Sequence, residues 1–178
     1  EFSNQIKLIY VDPRRFGLIK VISSNSLFKS KIFSHLGVEP LGKEFSGSYL
    51  KKICENKKTS IKSTIMNQKY VVGVGNIYAS ESLFLAKVNP IKKSCLLTIQ
   101  ECNLIVQSVK KVLNKSIKLG GSSISDYAMV SGKLGNYQNK LKVYGLEGSI
   151  CRKRTCQSKI LRIVIAQRST FYCPVCQK

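Results

Sequence analysis

Four cysteines near the C-terminal end, Cys151, Cys156, Cys173 and Cys176, come as two close pairs with the spacing Cys-x4-Cys, x16, Cys-x2-Cys. Thiolates are soft ligands. Two such pairs brought face to face can close a tetrahedron around one Zn2+, and both pair spacings suit a structural site. The plain alternative is four ordinary buried cysteines. The runs ILRIVI and STFY between the pairs are β-branched and aromatic, with AQR separating them. That pattern predicts a two-stranded hairpin clamped by the metal, its tip presenting Gln167 and Arg168. Arg152, Lys153, Arg154 and Arg162 add cations nearby. A metal-braced hairpin that holds out arginine is a device for touching nucleic acid.

Three further stretches carry chemistry-bearing residues. DPRRFG, from Asp12 to Gly17, puts Arg14, Arg15 and Phe16 on one tight turn. Arginine can fork onto a base edge or phosphate and phenylalanine can wedge between base steps, although such a turn is more often merely solvated. VGVGNIYASESLF, from Val72 to Phe84, places two glycines and Asn76 at a helix start. Backbone N–H groups there attract phosphate, and the plainer reading is a glycine turn with an asparagine N-cap. QRSTFYCPVC, which joins the hairpin tip to the second cysteine pair, is the most specific of the three.

Composition points the same way. Thirty Lys and Arg against nine Asp and Glu give a formal charge of +21, which favours a polyanionic partner over the alternative of a solvated lysine surface. Apolar residues make up 43% of 178, enough for a folded chain with real cores. Seven cysteines, an odd number without a leader sequence, argue for a reducing intracellular setting, with Cys54, Cys95 and Cys102 as small buried side chains. No apolar run reaches the length of a membrane span. The start at Glu1-Phe2-Ser3 reads as a processed chain or a fragment.

The elements that must position these groups follow from periodicity. IKLIYVDPRRFGLIKVIS predicts two short strands around a turn at Asp12-Pro13. HLGVEPLGKEFS reads as a linker. Helices are expected over 47–56, 60–67 and 77–87, then over 98–118, where Thr98 and Glu101 form a capping box and Ile99, Cys102, Ile105, Val106, Val109, Val112 and Leu113 share one face. Gly120-Gly121 ends that helix, and GGSSISDYAMVSGKLGNYQNK reads as a mobile loop.

In this order, DPRRFG, VGVGNIYASESLF, GGSSISDY and QRSTFYCPVCQ resemble the formamidopyrimidine-DNA glycosylase family from about Leu8 to the end of the chain. The related endonuclease VIII branch shares the architecture but does not usually spell GNIYASESLF. The resemblance implies an α+β fold: residues 1–37 as the last strands of an N-terminal β-sandwich, 38–145 as a helix–two-turn–helix domain with a lesion-recognition loop, and 146–178 as a zinc finger. It implies one structural Zn2+ on Cys151, Cys156, Cys173 and Cys176. Asn76 with its neighbouring backbone, and Lys57, would hold phosphates. Arg14 would enter the gap left by an extruded nucleotide, with Phe16 wedged beside it, so that side chains filling the void offset the unstacking cost. The backbone of Ile124, Ser125, Asp126 and Tyr127 would close over the flipped base. Arg168 would contact phosphates at the damaged site and serve the elimination step, the one catalytic residue carried over. The implied activity is base-excision repair: release of oxidised purines such as 8-oxoguanine and formamidopyrimidines from duplex DNA, then strand cleavage at the abasic site. The implied setting is a bacterial cytoplasmic, nucleoid-associated monomer without a membrane partner.

Two departures stand out. The family's first cysteine pair is usually spaced x2, whereas four residues separate Cys151 from Cys156. The family's nucleophile, an N-terminal proline followed by glutamate, and a lysine that assists it have no counterpart in these 178 residues. The primary amine of Glu1 and the lone His35 are poor replacements. The expectation is therefore a repair enzyme present here as a fragment and inactive alone. The rivals are a non-catalytic damaged-DNA-binding remnant and, from another class, a zinc-ribbon RNA-binding protein.

Overall fold

The computed structural model describes residues 7, 9–12, 15, 17–27, 30–31, 33–122 and 135–178. Two compact units emerge, 1–34 and 35–178. In the first, Asp12 makes the predicted turn: its carbonyl accepts from Arg15 N at 3.1 Å and its carboxylate from Gly17 N at 2.6 Å. The two predicted strands do not form among the described residues, where the one regular element is a 3-10 turn at Ser24–Ser26. A strand is held by its neighbours, and an isolated hairpin is marginal in water. Ile9, Val11 and Val21 accordingly lie exposed.

The second unit is built on four helices: α1 (Gly47–Cys54), α2 (Ile61–Ile65), α3 (Asn76–Ala86) and α4 (Ile99–Lys118). Hydroxyl caps fix three of the starts. Ser46 accepts from Tyr49 N, Ser60 from Ser63 N, and Thr98 from Glu101 N, while Glu101 returns the bond to Thr98 N as the predicted capping box. Lys92 pairs with Glu101 at 2.7 Å and braces that corner. On α4 the residues Cys102, Ile105, Val106, Val109, Val112 and Leu113 face the interior as the spacing predicts, whereas Ile99, one residue past the cap, is 40% exposed.

α3 differs from the others. It is buried on most sides, Ser80, Glu81 and Ser82 included, and Ala79, Leu83 and Ala86 belong to one core cluster with Leu50, Ile65, Ile105 and Val109. Lys87 ends it in the left-handed region at φ 60°. The expected linker around Pro40 is packed structure instead: Val38 bridges Val71, Phe45 is fully buried, and Gly37 N donates to Gln68 O at 2.8 Å. Gly37 lies so close to the Tyr70 backbone that a Cβ would not fit. Cys54 and Cys102 sit in this core and Cys95 is half-buried. Among the described residues no helix is long and apolar enough to cross a membrane.

After α4 the chain is pinned at both ends of the 123–134 stretch. Asn136 N donates to Leu119 O and Tyr137 N to Gly121 O, at 2.9 and 3.0 Å. A 3-10 turn at Tyr137–Lys140 then leads to an antiparallel hairpin of β1 (Leu161–Ile165) and β2 (Arg168–Tyr172).

Candidate nucleic-acid interface and metal centre

The hairpin forms where β-branched and aromatic residues alternate, and its loop is two residues long. Ala166 and Gln167 both take positive φ, 46° and 60°, the requirement of a type I′ turn that follows the right-handed twist of paired strands. Arg168 is therefore not in the loop but opens β2, opposite Ile165.

At the base of the hairpin the four cysteines converge as their spacing predicts. Their sulfurs lie within 4.8 Å of one another, with Cys151–Cys176 at 3.9 Å and Cys156–Cys173 at 3.7 Å. A tetrahedron with Zn–S bonds of about 2.3 Å has edges of about 3.8 Å, so the set fits one structural zinc. The longer first knuckle is accommodated: Cys156 N donates to Lys153 O at 2.9 Å, and the Lys153 N–H is directed to the Cys151 sulfur, partly offsetting the burial that raises that thiol's pKa. Burial also acts against ionising Cys173, but N–H groups of Cys176 and Val175, joined by the Cys151 and Cys156 thiols, outweigh it and bring that thiol to about 7. Gln177, 1% exposed, ties the second knuckle to the helical unit, accepting from Cys173 N and donating to Val88 O.

A second seam joins hairpin to helices at Lys62 and Asn76. Lys62, in α2 and only 1% exposed, donates from Nζ to Asn76 Oδ1 at 2.5 Å, Thr170 Oγ1 at 2.7 Å and Ser169 O at 3.2 Å. Burial, with the Arg168 guanidinium adding to it, lowers its pKa from 10.5 to about 8. The Asn76 amide donates to Ser169 O at 3.0 Å and lies 3.4 Å from the Tyr144 hydroxyl. Asn76 is thus the first helical residue rather than the cap. Gly75 is the cap, and α3 alone among the four helices has no side chain on its leading N–H groups. Gly73 beside it, at φ 71°, has open space where a side chain would be.

Tyr144 is placed by Glu81. This carboxylate, 3% exposed within buried α3, accepts backbone N–H groups of Lys142, Val143 and Tyr144 at 2.8–2.9 Å. Three donors satisfy a charge that would otherwise be costly to bury. The Tyr144 ring then meets Phe171 of β2 edge-on, centroids 5.0 Å apart.

Arg168 lines a hollow of about 220 Å3 with Lys62, Ser63, Met66, Asn67, Ile165 and Ala166. Lys57 lies at the next hollow, its ammonium 4.5 Å from the centre of the Tyr70 ring. Asn76, Lys57, Arg168 and the four cysteines are therefore placed on one unit. Arg14, Phe16 and the Ile124, Ser125, Asp126 and Tyr127 backbone lie outside the described residues. His35 sits in an exposed turn, with no metal-binding cluster around it among the described residues. Lys62, Tyr144 and Glu81 were not legible as site residues. Glu81, the one charged residue in α3, was the one with a signal.

Residues 36–128 match the family model described as the formamidopyrimidine-DNA glycosylase H2TH domain, and 151–178 match the zinc finger found in FPG and IleRS. Fold and site together define a helix–two-turn–helix protein with a C-terminal zinc finger. Formamidopyrimidine-DNA glycosylases of Wolbachia pipientis wMel and Escherichia coli O6:H1 are 44% and 46% identical over 176 residues, 99% of this chain and 64% of theirs. Among solved structures, MutM (Fpg) of Thermus thermophilus superposes with a TM-score of 0.83 at 34% identity, over 93% of this chain and 62% of that one. Lactococcus lactis Fpg in complex with abasic-site DNA gives 0.79 at 37%, over 88% and 57%. The chain belongs to the formamidopyrimidine-DNA glycosylase (Fpg/MutM) family. It spans about 64% of the length of these curated relatives.

Proposed function

We propose that this chain supplies the damaged-DNA grip of a base-excision-repair DNA glycosylase and abasic-site lyase that removes oxidised purines from duplex DNA. The observation that carries the reading is the seam at Lys62 and Asn76, which locks the zinc hairpin to the uncapped start of α3 through Ser169 and Thr170, the residues that follow Arg168. Uncapped helix N–H groups and a guanidinium on the adjoining strand suit a phosphodiester backbone, which accepts from both. Asn76 spends its side chain on the hairpin, so the phosphate falls to the adjacent backbone, to Arg168 and, further along, to Lys57. Arg14 and Phe16 fill the gap left by the flipped nucleotide, and the backbone at Ile124, Ser125, Asp126 and Tyr127 covers the base. Arg168 assists elimination. The domains run 1–37, 38–145 and 146–178, and the protein works as a monomer at the bacterial nucleoid.

The proline and glutamate of the family's reaction are not among these residues, so the chain grips without cutting. Gel shifts on an abasic duplex, an intact duplex and an RNA hairpin test the grip: the abasic duplex is expected to bind about tenfold tighter than either, consistent with a void that lowers the unstacking cost by a kcal/mol or more. Borohydride trapping on the same abasic duplex tests the chemistry. No covalent adduct is expected, and an adduct would place the nucleophile within this chain. Equal affinity for RNA would favour the zinc-ribbon alternative.

A further inference from the structure

Three open hollows lie in series on the helical unit. The first, about 220 Å3, holds Arg168. It shares Ser63 and Asn67 with the second, about 350 Å3, which holds Lys57 and Lys58. The second shares Asn56, Lys57 and Tyr70 with the third, about 430 Å3, which reaches Lys52 and Tyr49 on α1. Together they make one trough with a cation at every stage and no carboxylate in its lining. Some lysine ammoniums are used by the protein itself: within the trough Lys62 donates to Asn76, Ser169 and Thr170, and outside it Lys51 donates to Leu97 O, Lys110 to Gly42 O and Lys92 to Glu101. Lys52, Lys58 and Arg168 have no side-chain acceptor among the described residues. Lys57 faces an aromatic ring rather than an acid. The floor is set in place, since the Tyr49 hydroxyl donates to Tyr70 O at 2.8 Å.

Cations repeated along a polar trough match an anion that also repeats, which a single phosphate does not. The geometry points to a phosphodiester track: the DNA strand held at Arg168 continues past Ser63 and Asn67 to Lys57 and Lys58, and on to Lys52 at the C-terminal end of α1. The track rests on the damaged-DNA reading above and extends it to the strand flanking the lesion. Lys52 is the residue that distinguishes the two, because it belongs to the far hollow alone.

The test is the salt dependence of binding to a central abasic site in a long duplex and in two duplexes trimmed on one arm or the other. Each phosphate contact contributes about 0.9 to the slope of log K against log[salt]. Lys52→Gln is expected to lower the magnitude of that slope by about 0.9 on the long duplex and on one trimmed duplex, and by nothing on the other. Lys111→Gln, on the exposed side of α4, controls for net charge and leaves the slope unchanged. Equal effects of the two variants, or an effect of Lys52→Gln that survives both trimmings, overturn the track while leaving the grip intact. A wild-type chain that does not prefer the abasic duplex removes the grip and the track with it.

Discussion

Lys62 shows how one side chain can join two parts of a molecule. Its ammonium has three hydrogens and finds three acceptors, one on α3 and two on β2, so no donor is left unsatisfied although the group is buried. The cost appears in its titration. Burial first, and Arg168 second, bring its pKa from 10.5 to about 8. Between those values the unfolded chain binds more protons than the folded one, so this group's contribution to stability rises with pH across the window, and its full penalty applies below about 8. Melting temperatures measured from about pH 7.5 to about pH 10 should therefore show the native chain gaining on Lys62→Met. A constant gap between the two would contradict the buried charge. At neutral pH the variant should be less stable by about 1–3 kcal/mol, because Asn76 Oδ1 and Thr170 Oγ1 lose their donor. The run SIKSTIMN hid this role, since a lysine in a short helix reads as solvated until the helix's neighbours are known. Asn76 hid its own differently: an asparagine at a helix start fits a cap, and only the hairpin's arrival shows its amide engaged elsewhere.

At the scale of elements, local chemistry was legible wherever it was self-contained. Ser46, Ser60 and the Thr98–Glu101 box fix helix starts within their own turn, and the predicted ends fall close to the observed ones. The hairpin register is equally local, but its turn is not ideal. Ala166 and Gln167 hold left-handed φ values without the glycine or asparagine that adopts them readily. Replacing the pair by Asn-Gly should relieve about 1 kcal/mol of strain and slow amide exchange across β1 and β2 correspondingly. Unchanged exchange would mean the turn is not under strain. The metal carries the larger share of this element's stability. Cys173→Ser removes one of four sulfurs and should release zinc and expose the hairpin amides, while most of the helical circular dichroism persists because the α1–α4 core is a cluster of its own that meets the cysteine cluster at its edge, through Phe84. Full zinc content in that variant would refute the site.

Across the whole molecule, local pattern misleads where an element depends on partners distant in the chain. The first residues alternate like strands, yet Ile9, Val11 and Val21 are exposed and belong to no strand among the described residues, because a ladder needs another strand to accept it. HLGVEPLGKEFS carries turn residues like a linker, yet Val38 and Phe45 make it part of the core, a contact with Val71 that only the folded chain brings together. Net charge, by contrast, needs no fold to be read, and it makes a prediction of its own. The four phosphate contacts proposed above, through Lys52, Lys57, Lys58 and Arg168, would give a salt slope near −3.6, so affinity for an abasic duplex should fall about 150-fold between roughly 50 and 200 mM salt. The proposed preference for damaged over intact duplex would have a different origin, the lower cost of extruding a nucleotide at a site already unstacked, which involves no counterions. The ratio of the two affinities should therefore hold nearly constant over the same range in filter-binding titrations. A ratio that collapsed with salt would mean that charge alone, and not the shape of the lesion, directs the chain to damage.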